Sequence, residues 1–342
     1  MYKPDFENLK NVLLCRGKKI VPMIEIHIDE GFKEKYFSRK LSGLEDEIRF
    51  SLENCHDFIL AAKGILKPAK TIGKDTEKDG LTWADEEEGF IKTVKDFENY
   101  EWMEPDKEDY SVFKDAAKLM PEGMKIIATG GKIFTASWML MGFNNFCVST
   151  IENPQLVKKV FAKVGEIQFE VFKKIIEFKT VGAFAAVDDI AYTEGLMISA
   201  QVLRENLFPW YKKMGKICNE KGIPFIYHSD GRLWEIMEDL TGCGFNAVHP
   251  IEPKAMSIEE VNKKYRNKFC LLGNIEMDLL IRGNPSDVET LVIKNLKNIA
   301  SRGFYACGSS NTITSSMPLE NVKAMVQTVQ KYGRYPISLQ LK

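Results

Sequence analysis

Residues 224–253 read PFIYHSDGRLWEIMEDLTGCGFNAVHPIEP, and this stretch contains two short apolar runs separated by a polar segment. The runs PFIYHSD (224–230) and NAVHP (246–250) are rich in aromatic and β-branched residues and end in polar side chains, which is typical of buried strands. A helix is expected to begin near Leu233, between them. The stretch therefore predicts one β-strand, a helical connection and a second strand.

Six further runs of the same kind complete a series of eight strands. They are VPMIEIHI (21–28), HDFILAA (56–62), KIIATG (125–130), AFAAVDD (183–189), FCLLGNI (269–275) and FYACGS (304–309). Helical stretches lie between or after them, near 43–54, 155–179, 198–221 and 318–331, and Ser316 is expected to cap the last one.

Eight successive strand-then-helix units predict an α/β fold of the (β/α)8 TIM-barrel type, formed by a single domain over residues 1–342. The alternative is an open doubly wound sheet, but no GxGxxG phosphate loop follows the first strand.

A polar excursion of about 66–124 interrupts the alternation after strand 2. It contains KTIGKDTEKDGLTWADEEEGFIKTV (70–94) and then DFENYEWMEPDKEDY (96–110). We predict a β-hairpin followed by a loop, and the aromatic residues argue for an ordered segment that covers one end of the barrel.

The composition excludes several classes of protein. The formal net charge is −1 and the pI is near 6.5, so neither nucleic acid nor an anionic membrane is an expected partner. No apolar run reaches the ~18 residues of a membrane span, and the first residues lack the apolar core of a signal peptide. We expect a cytoplasmic protein in which the seven cysteines, without any CxxC pair, are mostly free thiols.

Polar side chains lie at the predicted carboxyl ends of several strands, where barrel enzymes carry their active sites. Imidazole, carboxylate and thiolate are zinc ligands, and a catalytic zinc takes three of them. The sequence thus predicts a metal site at the barrel mouth. His228, Asp230 and Cys307 are the candidate ligands. The other polar residues at or after these strand ends are Glu25, His27, Asp188, Asp189, Glu252 and Asn274.

Simpler roles stay open for these residues on local grounds. His228 is equally compatible with a hydrogen-bonded barrel histidine, and Cys307 with a buried thiol. Asp230 also fits the cap of the helix near Leu233. Asp188 and Asp189 also fit caps of the loop that follows them.

The order of several motifs resembles the uroporphyrinogen-decarboxylase superfamily over nearly the whole chain, which implies the same barrel fold. The matching stretches are KKIVPMIE, KDFENYEWMEPD, DDIAYTEGLMIS, YHSDGRLWEIMEDLTGCGFNAVHPIEP, LLGNIEMDLL and MPLENVKAMVQTV.

The true decarboxylases of this superfamily carry an arginine-rich segment after the first strand, and IEIHIDEGFKEKYF (24–37) contains no arginine. The chain looks more similar to the zinc-dependent methyltransferases, whose signature is His-x-Cys after strand 5 and Cys after strand 8. His228 and Cys307 match this signature, and Asp230 stands in place of the first cysteine. The resemblance implies zinc ligands among these three residues, with Glu252 as an alternative or additional one.

The activity implied by the resemblance moves a methyl group between a small substrate and the cobalt of a corrinoid. The substrate would be a methyl ether such as a methoxylated aromatic, or a thiol or amine. The corrinoid, as methylcobalamin or cob(I)alamin, would come on a partner protein. Glu25 or His27 would move protons, while Asp188, Asp189 and Asn274 would line the pocket or support the ligands.

Two alternatives remain at this point. One is a metal-free decarboxylase of a small acid, for which Arg204 or Arg232 would hold the carboxylate. The other is a non-catalytic binding barrel. An oligomer is compatible with the sequence.

Overall fold

Seven parallel strands form the central sheet, in a computed structural model that describes residues 2–64 and 89–337. The sheet order is β1-β2-β3-β6-β7-β8-β9, so each strand lies beside the next strand of the sheet along the chain. A two-stranded antiparallel ribbon, β4-β5, follows β3. The strands are β1 Phe58–Ala62, β2 Lys125–Gly130, β3 Val181–Val187, β4 Ala191–Tyr192, β5 Gly195–Leu196, β6 Phe225–His228, β7 Ala247–His249, β8 Cys270–Ile275 and β9 Phe304–Ser309.

Helices connect the parallel strands, as sequential parallel pairing requires. In the described ranges they are α1 Phe6–Leu13, α2 Glu30–Phe37, α3 Leu44–Glu53, α4 Val94–Asn99, α5 Ser111–Leu119, α6 Phe134–Met141, α7 Phe143–Glu152, α8 Pro154–Ile175, α9 Ala200–Asn206, α10 Phe208–Lys221, α11 Met237–Gly242, α12 Ile258–Tyr265, α13 Met277–Arg282, α14 Pro285–Asn295 and α15 Leu319–Tyr332. None of these helices is both long and apolar enough to cross a membrane.

The predicted first strand, 21–28, is an extended segment that pairs with β9 at only a few points. The Ile24 N–H donates to the Cys307 carbonyl at 2.8 Å, and the Cys307 N–H donates to the Pro22 carbonyl at 2.9 Å. Ile24 and Ile26 lie in the same apolar cluster as Phe58 of β1. The sheet is therefore a curled half-barrel with this segment along one edge, and the closed eight-stranded barrel stays a prediction.

Strand alternation divides the core into two layers. One layer lies inside the curled sheet and contains Ile127, Ala185, Ile226, Ala247 and Ala306. The other lies between the sheet and the helices. Successive residues of a strand point to opposite faces. A side chain that lines the inside of the sheet at its carboxyl end must therefore have the same orientation as the inward-facing residues.

Two expectations about the helices were wrong, each for a local reason. The helix predicted over 198–221 is two helices, since Pro209 lies at the start of α10, where its missing N–H is tolerated. Ser316 does not cap α15: the N-cap position is Pro318, with no side-chain hydrogen bond, and the Ser316 hydroxyl pairs with Thr314.

The excursion differs from its prediction where it can be described. The expected loop at 96–110 contains most of α4 and a 3-10 turn, Pro105–Lys107. A reciprocal capping box between Thr93 and Asp96 explains why α4 begins there. The predicted hairpin falls largely on 65–88, outside the described residues.

Candidate metal site at the carboxyl edge of the sheet

A cavity of about 400 Å³ opens at the carboxyl edge of the sheet. The ends of β1, β2, β3, β6 and β7 and the segment after β9 all contribute to its wall. Polar side chains in this wall are His27, Lys63, Thr129, Lys132, Asp189, His228, Asp230, His249, Asn311 and Thr312. The volume lies in the range of pockets for small molecules.

Asp189, His228 and Asp230 form the one group in the described residues whose ligand atoms could hold a metal ion, with all of these atoms within 4.8 Å of one another. The neighbouring strands β3 and β6 bring them together, because Val187 pairs with His228 in the sheet register. Nε2 of His228 lies 3.8 Å from Oδ1 of Asp189, and the Asp230 N–H donates to the same oxygen at 3.0 Å.

Asp230 carries the strongest sign that a cation belongs here. Its Oδ1 is buried and has no hydrogen-bond partner among the described residues, while its Oδ2 accepts a hydrogen bond from the Asn311 amide. Burial raises the pKa of Asp230 to about 7, and the neighbouring carboxylates of Asp189 and Glu252 add to the shift. A metal ion would remove this repulsion and satisfy the free oxygen, and imidazole with carboxylates is a donor set that zinc accepts.

His228 and His249 stack at the inner face of the same mouth. Their ring centroids lie 5.0 Å apart at an interplanar angle of 22°, and their Nδ1 atoms are 2.7 Å apart. Both side chains are buried, and the loss of solvent lowers the pKa of each imidazole. The rings are therefore neutral near pH 7, as metal-binding or proton-sharing imidazoles must be.

The structure does not bring Cys307 into this group. Cys307 follows Ala306, which faces the inside of the sheet, and its side chain lies in the layer between the sheet and the helices. Burial there raises the pKa of the thiol to about 12, and Tyr305 lies beside it. Glu252 lies nearer to the group but is engaged, since its carboxylate accepts the Gly231 N–H at 2.8 Å.

Glu25 and His27, expected to move protons, lie in different surroundings. Glu25 is buried away from the cavity wall and accepts hydrogen bonds from the N–H and the hydroxyl of Ser309. His27 lines the cavity, and its pKa is lowered by lost solvent and then by Lys33 and Lys132. Of the two, only His27 can touch a molecule in the cavity.

Asp188 and Asn274 hold the frame of the site and do not line the cavity. The buried Asp188 carboxylate accepts the N–H groups of Ile133, Phe134 and Thr135 at the start of α6, and the Tyr211 hydroxyl. Asn274 has a positive φ of 82°. Its amide donates to the Ile251 carbonyl at 2.7 Å, which ties β8 to the segment after β7.

Several charged or polar residues of the cavity wall were missed as site candidates, among them Lys63, Lys132, His249 and Asn311. His249 ends β7 and was visible as a strand-end histidine beside His228, but no spacing rule links the two residues. Asn311 lies two residues beyond β9 and reaches Asp230 because the chain turns there. A sequence gives no signal for such a turn, so only the folded chain identifies Asn311.

The sequence model of the family described as uroporphyrinogen decarboxylase (URO-D) matches residues 56–332, which is most of the chain. The chain belongs to the URO-D family. Uroporphyrinogen decarboxylases of Coxiella burnetii, strains Dugway 5J108-111 and RSA 331 / Henzerling II, are each 26% identical over 116 residues, which is 34% of this chain and 31% of the relative. The match thus spans about a third of these relatives' length.

One solved structure has the same fold over nearly the whole length of this chain. The methyltransferase from Methanosarcina mazei superposes with a TM-score of 0.69 at 15% identity, over 95% of this chain and 98% of the other. The likeness extends over essentially the whole chain and establishes a common fold with that protein.

Proposed function

We propose that this URO-D family chain is a zinc-dependent methyltransferase of the cytoplasm, built on a closed (β/α)8 barrel. It would move a methyl group between a small substrate and the cobalt of a corrinoid carried by a partner protein. The observation that carries the proposal is the convergence of Asp189, His228 and Asp230 within 4.8 Å, with one buried carboxylate oxygen left without a partner. The whole-length fold likeness to a methyltransferase supports the reaction class.

The ligand set differs from the one expected from the resemblance. We assign Asp189, His228 and Asp230 as ligands, in place of Cys307 and Glu252. Zinc bound by these residues would act as a Lewis acid and stabilise the negative charge that develops on the heteroatom losing its methyl group. Two carboxylates are harder ligands than thiolates, which suits an oxygen-bearing substrate such as a methyl ether.

The residues around the ligands have separate tasks. Asn311 donates to Oδ2 of Asp230 and leaves Oδ1 free for a cation. Because burial raises the pKa of Asp230 to about 7, metal bound at its Oδ1 would release a proton from those molecules in which Asp230 is protonated. Lys132 lines the cavity and makes no ion pair within the described ranges, so its ammonium can attract an anionic group of the substrate.

The decarboxylase alternative has less support. Arg204 is paired with Asp239 at 2.9 Å, and neither it nor Arg232 lines the cavity. The binding-barrel alternative gives no reason for two carboxylates and an imidazole to converge with one buried carboxylate oxygen left without a partner.

The first test is metal content. Protein purified without chelator should contain about one zinc per chain, and the Asp189→Asn/Asp230→Asn variant should contain little. Cys307→Ala is the matched control, because it removes the signature cysteine while leaving the three ligands in place. Loss of zinc in Cys307→Ala with retention in the double variant would overturn the ligand assignment.

The second test is the reaction. Wild-type protein loaded with zinc should form methylcobalamin from cob(I)alamin and a methoxylated aromatic, followed by the absorption change of the cobalamin. Asp230→Asn should reduce the rate by about 100-fold or more, since loss of even a hydrogen-bond partner of a metal ligand typically costs about 10–100-fold. A zinc-replete enzyme that transfers no methyl group from ethers, thiols or amines would defeat the methyltransferase assignment but leave the metal site standing.

A further inference from the structure

The histidine pair of the mouth has a defined place in the sheet. His228 ends β6 and His249 ends β7, and the two residues are partners in the parallel register. Both side chains therefore point to the same inner face. The separation of 2.7 Å between their Nδ1 atoms is that of a hydrogen bond.

A hydrogen bond between two imidazole nitrogens contains one proton. In neutral imidazole one nitrogen donates and the other accepts, so either His228 or His249 carries the shared proton on Nδ1. The choice matters for the site. If His228 carries it, Nε2 of His228 is a bare lone pair; if His249 carries it, Nε2 of His228 holds a hydrogen.

The far side of His249 decides between the two arrangements. Nε2 of His249 is buried and makes no hydrogen bond of ordinary geometry with any described residue. The backbone of Ser309 lies on the same side of the ring. Gly273 lies between them, since a Cβ there would be 2.5 Å from the Ser309 oxygen and 3.2 Å from Nε2 of His249. A carbonyl oxygen can only accept, so this neighbour favours the His249 tautomer that carries its hydrogen on Nε2 and leaves Nδ1 free to accept.

We propose that His249 is a positioning residue that fixes the tautomer of His228, by accepting the Nδ1 proton of His228 and leaving the Nε2 lone pair directed at Asp189 and Asp230. The consequence for metal binding rests on the proposed function, but the tautomer itself is a property of the metal-free chain. Without this acceptor His228 would be free to place its hydrogen on Nε2, where the carboxylate of Asp189 lies 3.8 Å away. That tautomer cannot ligate a metal through Nε2.

Nitrogen NMR on the metal-free protein tests the tautomer directly. The chain has four histidines, so ¹⁵N-histidine labelling gives a spectrum that can be assigned with single His→Asn variants. At pH 8 the wild-type His228 should show a protonated Nδ1 and a bare Nε2. In His249→Leu the signal should move towards the Nε2–H form, whereas His249→Asn, whose amide oxygen can accept the same proton, should keep the wild-type pattern. A wild-type His228 with hydrogen on Nε2, or an unchanged signal in His249→Leu, would overturn the proposal.

Zinc affinity provides a second readout. His249→Leu should weaken zinc binding by about 10–100-fold in competition with a chromophoric chelator, and His249→Asn should restore most of it. His56→Asn is the control for loss of a buried imidazole, since His56 is buried away from the cavity. Equal losses in His56→Asn and His249→Leu would show a general structural effect and contradict the proposal. A wild-type chain that binds no zinc but shows the expected tautomer would defeat the proposed function alone.

Discussion

The Ser309 hydroxyl lies between two oxygen atoms that both accept hydrogen bonds. One is Oε2 of Glu25 and the other is the Asn311 carbonyl. A hydroxyl has one proton to donate, so the second hydrogen bond needs a proton from Glu25. This arrangement agrees with the pKa of Glu25, which burial raises to about 8 even though the hydrogen bonds from Ser309 oppose the shift. Glu25 is thus a neutral group that helps to position Asn311, the residue that contacts Asp230.

A neutral Glu25 makes the stability of the protein depend on pH. The folded-state pKa of about 8 lies above an unfolded value of about 4.3, so stability is full below pH 4 and falls as pH rises towards 8. The amide of Glu25→Gln donates to Ser309 in the same way but does not ionise. In this variant the loss of unfolding free energy between pH 4 and pH 8 should be smaller by on the order of 2–4 kcal/mol.

Urea unfolding at pH 5, 6.5 and 8.5 measures this dependence. The variant should equal the wild type at pH 5 and exceed it at pH 8.5, while exposed Glu98→Gln should follow the wild type throughout. Parallel curves for Glu25→Gln and wild type would mean that Glu25 is ionised in the folded protein.

Strand alternation explains the position of Cys307 at the scale of one element. On β9 Ala306 faces the inside of the sheet, while Tyr305 and Cys307 face the helices, where the Tyr305 hydroxyl meets Asn295. The sequence establishes that these side chains alternate, but it does not establish which set faces inward. At the end of β6, His228 and Asp230 face inward, as expected. On β9 the inward-facing residue is Ala306, and Cys307 faces the helices.

Helix α6 depends on one carboxylate for its first turn. The Asp188 carboxylate accepts hydrogen bonds from three backbone N–H groups there, at 2.7 to 2.9 Å. The negative charge of the carboxylate also interacts favourably with the positive end of the helix dipole. Asp188→Ala should lower the free energy of unfolding by on the order of 3 kcal/mol, because buried donors lose their acceptor. Tyr211→Phe removes only one of the hydrogen bonds and should cost about 1 kcal/mol.

Urea denaturation of both variants, with zinc content measured alongside, distinguishes a structural role of Asp188 from the ligand role proposed for Asp189. We expect Asp188→Ala to keep its zinc, in contrast to variants of Asp189. A variant of normal stability that has lost its metal would place Asp188 among the ligands.

At the scale of the whole molecule, the proposed ligands connect separate parts of the chain. Asp189 follows β3, while His228 and Asp230 lie at the end of β6, so the complete site exists only in the folded sheet. Zinc should therefore bind the native state in preference to the unfolded one and raise its stability, by about 2.7 kcal/mol at a free concentration 100 times the dissociation constant.

Thermal unfolding with zinc and after chelation tests this coupling. The melting temperature of the wild type should rise with zinc and return to its starting value with chelator, and Asp230→Asn should show almost no change. An equal rise in that variant would indicate a different zinc site.

The sequence by itself determined the fold class and the order of the elements. Apolar runs of strand length, separated by amphipathic helical stretches, identified all seven sheet strands, with β2 and β9 at their predicted bounds. These elements can be recognised because the residues that they bury are apolar and recur in the sequence with the period of a strand or a helix. The prediction of a regular first strand was wrong. The apolar residues of 21–28 are buried, but the segment pairs with neighbouring residues at only a few isolated points, and a regular strand needs continuous hydrogen bonding to a neighbour.

Only the tertiary structure decided how the site is composed. His228 and Asp230 were predicted as ligands and lie together, and Asp189 joined them because β3 and β6 are neighbours. Asn311, His249 and the position of Cys307 depended on which face of each strand turned inward and on a turn after β9. These are relations between residues far apart in the chain. Local periodicity does not encode them, because they are set by packing that forms only when the sheet curls.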